Sequence, residues 1–283
     1  METSLLNSAD TRRPYRLGIA LSGGGARGFA HAGALMAIEE AGLKPDVIAG
    51  VSAGSVIAVL YAAGVKPLQM AQIFASSSVR DFVDLSFGHG GMLRMERFAL
   101  FIIKALGGIK RIEDLKIPTF IGATDLEHAK PVYFDKGTIA PRLMASCSIP
   151  IVFRPVVIDG VSYVDGGVMR NHPAWIIRDK CDYLIGVNVS PLLGDEKSES
   201  LIEVAIRTFN IMAKSNQRED MDMCDLSIVA PELSNYGVFS LKHIKKVFIS
   251  GYANTKRALR EAGLWKTELK SASTPLIKPL FKS

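Results

Sequence analysis

The chain has 283 residues, 48% hydrophobic and 22% charged, which supplies a sizeable core and excludes a disordered chain. Three cysteines (Cys147, Cys181 and Cys224), none at C-x-x-C spacing, exclude a disulfide scaffold, a zinc ribbon and a thioredoxin-type motif, and fit a reducing compartment. The formal charge of +6 is uneven: residues 231–283 hold 10 Lys/Arg against 3 Asp/Glu, and residues 1–230 hold 24 against 25.

Residues 1–14 are polar, carry Arg12 and Arg13, and lack the apolar core of a signal peptide. Residues 15–22 read as a strand, followed by three glycines and a helix over 27–41 that Pro45 ends. A second strand, 46–51, runs into Ser52 and a small-residue helix to about Ala63. Helices follow near 67–77 and 94–106, then strands at 118–124 and 131–134. Pro141 sits in the first turn of a helix ending near Ser146. Asp159-Gly160 is a hairpin turn between short strands at 156–158 and 162–164. A continuous apolar strand at 182–189, a helix at 198–216, a strand at 225–229 and a helix at 241–262 complete the chain. Strands that are apolar on both faces and alternate with helices predict an α/β fold, with a mainly parallel sheet in a three-layer α/β/α arrangement. One domain is expected over 15–270, with a tail at 271–283. No apolar run approaches the roughly 20 residues that span a bilayer, so a cytoplasmic protein is expected, with peripheral membrane contact as an option.

Three segments carry chemistry. Gly50-Val51-Ser52-Ala53-Gly54 is a G-x-S-x-G sequence between an apolar strand and a helix. A serine at such a turn stands at the strand end, beside the positive end of the helix dipole. Ser22-Gly23-Gly24-Gly25-Ala26-Arg27-Gly28 also follows a strand. Gly23, Gly25 and Gly28 match the spacing of a dinucleotide-binding loop, but that reading needs an acidic residue at the end of the next strand. Asp46 stands at that strand's start and Ser52 at its end. A nest of backbone N–H groups stabilises an oxyanion as well as a phosphate, so an oxyanion hole explains both loops together. Arg27 either supports that hole or is a surface residue of the first helical turn. The third segment is Asp165-Gly166-Gly167 at a strand end. A nucleophilic serine needs a base. None of His31, His89, His128, His172 and His243 stands at a predicted strand end beside a carboxylate, and Asp165 is the better-placed group.

Together these residues resemble the patatin-like phospholipase family. Gly23–Gly28 is similar to its glycine-rich motif, Gly50–Gly54 to its nucleophile motif, and Asp165–Gly167 to its Asp-Gly-Gly/Ala motif. Ala145, Ser146, Pro150, Phe153, Pro155 and Val156 match the block between them, and Asn171 and Pro173 the segment after. The strong motifs lie within 17–174. The resemblance implies a lipid acyl hydrolase that needs neither metal nor cofactor. Ser52 would be the nucleophile and Asp165 the base. The N–H groups of Gly24, Gly25 and Ala26 would form the oxyanion hole, with Arg27 in support. Lipid or fatty-acyl esters would be substrates, and no nucleic-acid partner is expected. An acyltransferase or a non-catalytic adaptor on the same scaffold are the alternatives. A conventional hydrolase triad would leave only His243 as a late histidine. Residues 92–104, apolar with cationic edges, read as an interfacial lid or as a buried helix. The basic 231–283 region is a second membrane-facing candidate, or a solvated helix face.

Overall fold

The computed structural model describes residues 13–75, 95–191, 200–238 and 240–265. The strands are β1 (Tyr15–Leu21), β2 (Val47–Val51), β3 (Thr119–Asp125), β4 (Lys130–Phe134), β5 (Val156–Ile158), β6 (Val161–Asp165), β7 (Cys181–Asn188) and β8 (Leu226–Val229). The helices are α1 (Phe29–Glu40), α2 (Ala53–Ala62), α3 (Pro67–Ala75), α4 (Glu96–Ala105), α5 (Ile139–Cys147), α6 (Ala174–Ile177), α7 (Leu201–Ser215), α8 (Arg218–Asp222) and α9 (Ile244–Glu261).

The strands form a mainly parallel sheet, hydrogen-bonded in the succession β5-β6-β3-β2-β1-β7-β8, with β4 paired to the other edge of β3. Alternation along each strand builds two cores. Ile19 and Leu21 of β1, Ile48 of β2, Ile121 of β3 and Ile185 of β7 enter the larger one, beneath α1, α2, α3 and α9. Ala20, Val47, Ala49, Phe120 and Leu184 point the other way, onto Ala174, Ile176 and Ile177 of α6. The sheet is therefore covered on both faces, and each fully buried Leu or Ile contributes about 1.5–3 kcal/mol. The three-layer α/β expectation holds.

The registers position the site. β2 pairs parallel to β3 over residues 119–122, and β6 pairs antiparallel to it over 123–125. β4 pairs over 121–125, which shares residues with both ladders, so β2 and β6 lie on the same edge of β3. They run toward each other. β2 ends at Val51 opposite Gly122, and β6 ends at Asp165 opposite Ala123. Two strands distant in sequence thus deliver their C-terminal residues to one point. β1 ends next to β2, with Leu21 opposite Gly50, which brings the glycine loop to the same place.

The short α6 and α8 are elements that periodicity does not reveal, since four or five residues are too few to show it. The helices expected to start at 27 and 241 instead begin with 3-10 turns, Gly25–Gly28 and Leu241–His243. Among the described residues no helix is long and apolar enough to cross a membrane. His89, residues 92–94, residues 1–12 and residues 266–283 lie outside the described residues.

Candidate active site

Ser52 occupies the turn between β2 and α2 with φ 51° and ψ −126°, a conformation that L-residues rarely adopt. The surrounding structure holds it there. Its N–H donates to Ser146 Oγ at 2.8 Å, and that hydroxyl donates to Gly122 O at 2.6 Å. Its carbonyl accepts from Ser55 N–H at 2.9 Å and Ser55 Oγ at 2.6 Å. The motif glycines allow the sharp reversal. A Cβ on Gly54 would lie 2.2 Å from Leu21 O, and one on Gly50 would lie 2.5 Å from the backbone of Gly54. Ser52 is nearly buried, at 7% exposure.

The glycine loop abuts this turn. The Cβ position of Gly23 lies 3.3 Å from Ser52 Cβ, and that of Gly28 lies 2.6 Å from Ala53 Cβ. Gly23 N–H donates to Asn171 O at 3.0 Å, and Arg27 N–H donates to Gly24 O at 3.2 Å. Gly25 has φ +56°. Among the described residues the N–H groups of Gly24 and Gly25 donate to no backbone carbonyl, whereas Ala26 N–H donates to Val238 O at 2.7 Å. Of the three donors expected to face an oxyanion, that of Ala26 is therefore already engaged. Arg27 is buried, at 3% exposure, so the surface-residue alternative does not hold. Its Nε donates to Tyr236 O at 2.6 Å. The segment carrying Tyr236 and Val238 thus straps the glycine loop from outside.

Asp165 is fully buried. Its Oδ1 accepts the N–H of Gly167 at 2.8 Å, and its Oδ2 is buried without a hydrogen bond. Burial raises its pKa to about 7, opposed by the Gly167 N–H and by the nearby Ser52 hydroxyl. The Gly166 Cβ position lies 3.0 Å from Gly122 O, and that of Gly167 lies 2.8 Å from the Phe209 ring of α7. Asn216 Nδ2 holds the loop by donating to Gly167 O at 2.9 Å and Val168 O at 3.1 Å. Arg170 pairs with buried Asp220.

Beside Ser52 opens an apolar cavity of about 180 Å3 that reaches Phe29, Val56, Phe74, Phe98 and Phe153. Cys147 lines it, and burial pushes that thiol well above its ordinary range. Helix α4 is amphipathic. Phe98, with Met95 just before the helix, faces the cavity, while Leu100 and Ile103 are 67% and 42% exposed. The buried-helix expectation fits Phe98 and Ile102, which are buried in the core.

The four described histidines stand elsewhere. His31 is buried with Nε2 2.8 Å from Ser22 O, and His172 is buried with neither ring nitrogen bonded. His128 pairs with Asp125, and His243 packs on the Tyr236 ring. Four functional contributors escape sequence reasoning: Ser146 as an anchor of the turn, Val238 and Tyr236 as the strap, and Asn216 as the loop clamp. Ser146 belongs to a recognised block, but only folding shows that its hydroxyl reaches Ser52.

Fold and site together define a mixed α/β protein with a strained serine turn, a glycine loop and a buried carboxylate where the C-terminal ends of β1, β2 and β6 meet. The model of the family described as patatin-like phospholipase matches residues 19–177, and the chain belongs to that family. It is 32% identical over 203 residues to an uncharacterized NTE family protein of Mycobacterium bovis, covering 71% of this chain and 56% of the relative. It is 27% identical over 277 residues to lysophospholipase nte1 of Aspergillus fumigatus, covering 87% of this chain and 18% of that one. The chain thus spans about half, or much less, of the length of these curated relatives. Among solved structures, VipD from Legionella pneumophila shares the fold at TM-score 0.58 and 14% identity, covering 88% of this chain and 67% of that chain.

Proposed function

We propose that the chain is a lipid acyl hydrolase of the phospholipase, lysophospholipase or esterase type, in which Ser52 and Asp165 act as nucleophile and base. The observation that carries this reading is the meeting of a strained, nearly buried serine with a buried carboxylate whose second oxygen has no partner. Asp165 takes the proton from Ser52 Oγ as the oxygen attacks the ester carbonyl. The tetrahedral oxyanion is held by the N–H groups of Gly24 and Gly25, near the N-terminal end of α2. Arg27 positions the loop through its hold on Tyr236 O. Collapse expels the alcohol or lysolipid, which takes the proton from Asp165. Water then attacks the acyl-serine, Asp165 accepts its proton, and the fatty acid leaves as Ser52 regains its hydrogen. The base is a carboxylate raised to about 7 by burial, which makes it a far better proton acceptor than an exposed aspartate.

Family membership and the NTE-type relatives support a lipid substrate. The exposed Leu100 and Ile103, flanked by Arg97 and Lys104, suit peripheral contact with a lipid surface. Fluorophosphonate labelling tests the nucleophile. Label on wild type and none on Ser52→Ala is the expected outcome. An unlabelled wild type with no ester hydrolysis would favour the adaptor reading. A labelled enzyme that releases no fatty acid unless given an acyl acceptor would favour the acyltransferase.

A further inference from the structure

Beyond their ladder β1 and β7 stay side by side. Leu21 pairs with Val187, and three residues further along each chain Gly24 lies beside Ser190. Side chains carry the pairing on. Val189 N–H donates to Ser22 Oγ at 3.0 Å, and Ser190 Oγ donates to Gly23 O at 2.7 Å. Glycine lets the loop lie this close: a Cβ on Gly24 would stand 2.6 Å from Val189 Cγ2 and 3.4 Å from Ser190 Oγ.

Gly23 is thus held at both of its backbone polar groups. Its N–H donates to Asn171 O at 3.0 Å, and its carbonyl accepts from Ser190 Oγ and, at 3.0 Å, from Ser22 Oγ. Ser190 is itself fixed. Its N–H donates to Asn188 Oδ1 at 2.8 Å, and its carbonyl accepts from Gln217 Nε2 at 3.2 Å. The buried Gln217 accepts from Asn171 Nδ2 at its Oε1, also at 3.2 Å. One side-chain amide therefore ties together Asn171 and Ser190, the two residues that grip Gly23 from outside its own loop.

The Gly23 carbonyl and the Gly24 N–H belong to one planar trans peptide, so they point in opposite directions. Pinning the oxygen aims the hydrogen. A bond accepted at the oxygen also polarises the amide and strengthens its N–H as a donor. Among the described residues Gly24 N–H has no backbone acceptor, and Gly23 abuts the serine, its Cβ position 3.3 Å from Ser52 Cβ. A donor fixed before the reaction stabilises an oxyanion without reorganising.

We propose that Ser190 is a positioning residue for ester hydrolysis: by holding Gly23 O it aims the Gly24 N–H at the oxyanion formed on Ser52. The inference rests on Ser52 as the nucleophile. Ser190→Ala removes the hydroxyl alone. Gly23 O keeps Ser22 Oγ, and the Ser190 backbone keeps Asn188 and Gln217, so the fold should survive. In Ser190→Ala kcat should fall about ten-fold with KM little changed, short of the roughly 10²–10³-fold that losing an oxyanion donor outright costs. Ser190→Cys, a weaker donor, should lie between Ser190→Ala and wild type.

The test compares wild type, Ser190→Ala, Ser190→Cys and Ser52→Ala, as full chains, on p-nitrophenyl butyrate and with an alkyl trifluoromethyl ketone. Ser52 Oγ adds to the ketone carbon, its proton passes to Asp165, and the ketone oxygen becomes an oxyanion. The Ki of this ketone should rise in each Ser190 variant by the factor that kcat falls. Ketone binding should move the Gly24 amide proton downfield in wild type, read by NMR on glycine-labelled chain, and move it less in Ser190→Ala. Ser52-dependent hydrolysis with wild-type kcat in Ser190→Ala would overturn the aiming role and leave the serine reading intact. An equal Gly24 shift in wild type and Ser190→Ala would overturn it too. If Ser190→Ala fails to fold, Ser190→Cys carries the same readouts, and wild-type kcat and Ki there would overturn the proposal. Hydrolysis undiminished in Ser52→Ala would overturn the nucleophile, and the role of Ser190 with it.

Discussion

Ser146 Oγ bridges the Ser52 turn and β3, accepting from Ser52 N–H at 2.8 Å and donating to Gly122 O at 2.6 Å. Both bonds are buried. Ser146→Ala removes the bridge and leaves a buried donor and a buried acceptor unpaired. The expected cost is about 1–3 kcal/mol for each unsatisfied group. Because the bond holds Ser52 at φ 51°, the turn should also relax. A denaturant melt should show the stability loss, and ester kinetics should show kcat falling more than KM rises. A variant with wild-type stability and kcat would mean the bridge holds nothing in place.

Asp165 ties pH to both activity and stability. Its pKa is raised from 3.8 to about 7. The folded state therefore binds its proton more tightly than the unfolded chain does. Stability from this group is fully present below about pH 4 and is lost as pH rises toward 7. Asp165→Asn keeps an acceptor for Gly167 N–H without a buried charge. It should melt higher than wild type at pH 8, with the difference shrinking below pH 5. In wild type, kcat/KM should rise through about pH 7 as the base ionises. A lower melting temperature for Asp165→Asn at pH 8 would contradict the buried-charge argument.

The two buried histidines act in the opposite sense. Burial lowers His31 to about 4 and His172 to about 3, from an ordinary 6.5. The unfolded chain takes up their protons first, so stability falls as pH drops below 6.5 toward those values. His172 bonds through neither nitrogen, so His172→Leu leaves nothing unpaired and should reduce acid sensitivity between pH 6.5 and 4. His31→Leu strips Ser22 O of its Nε2 partner and should destabilise at every pH. Thermal melts across pH separate the two. An unchanged acid limb in His172→Leu would show that its burial does not govern acid unfolding.

Gly25→Ala tests the strap. A Cβ there would lie 2.3 Å from Val238 O, at a φ of +56° that alanine disfavours. The strap must shift, weakening the Ala26 N–H to Val238 O bond. Activity should drop by ten-fold or more as the loop loses its setting, and amide exchange at Ala26 should quicken. Unchanged exchange at Ala26 would mean that the strap does not hold the loop.

Much of this is legible in the sequence. Continuous apolar runs mark the strands of the sheet. Glycine spacing marks both turns, because a Cβ at Gly54 or Gly25 has no room. The sequence names Ser52 and Asp165 as candidates, but that their strands β2 and β6 meet end to end on one edge of β3 follows only from the fold. No local pattern encodes that. Val238 is equally opaque, because what it contributes is a backbone oxygen, and any residue carries one. Asn216 ends α7 like many polar residues, and only the fold sets its amide against Gly167 O.

The most direct measurement is fatty acid release from lysophospholipid and phospholipid by wild type, Ser52→Ala and Asp165→Asn at pH 8. The dyad predicts release by wild type, none by Ser52→Ala, and a loss of about 10²–10⁴-fold in Asp165→Asn. Release by Asp165→Asn at the wild-type rate, or by Ser52→Ala at all, would contradict it.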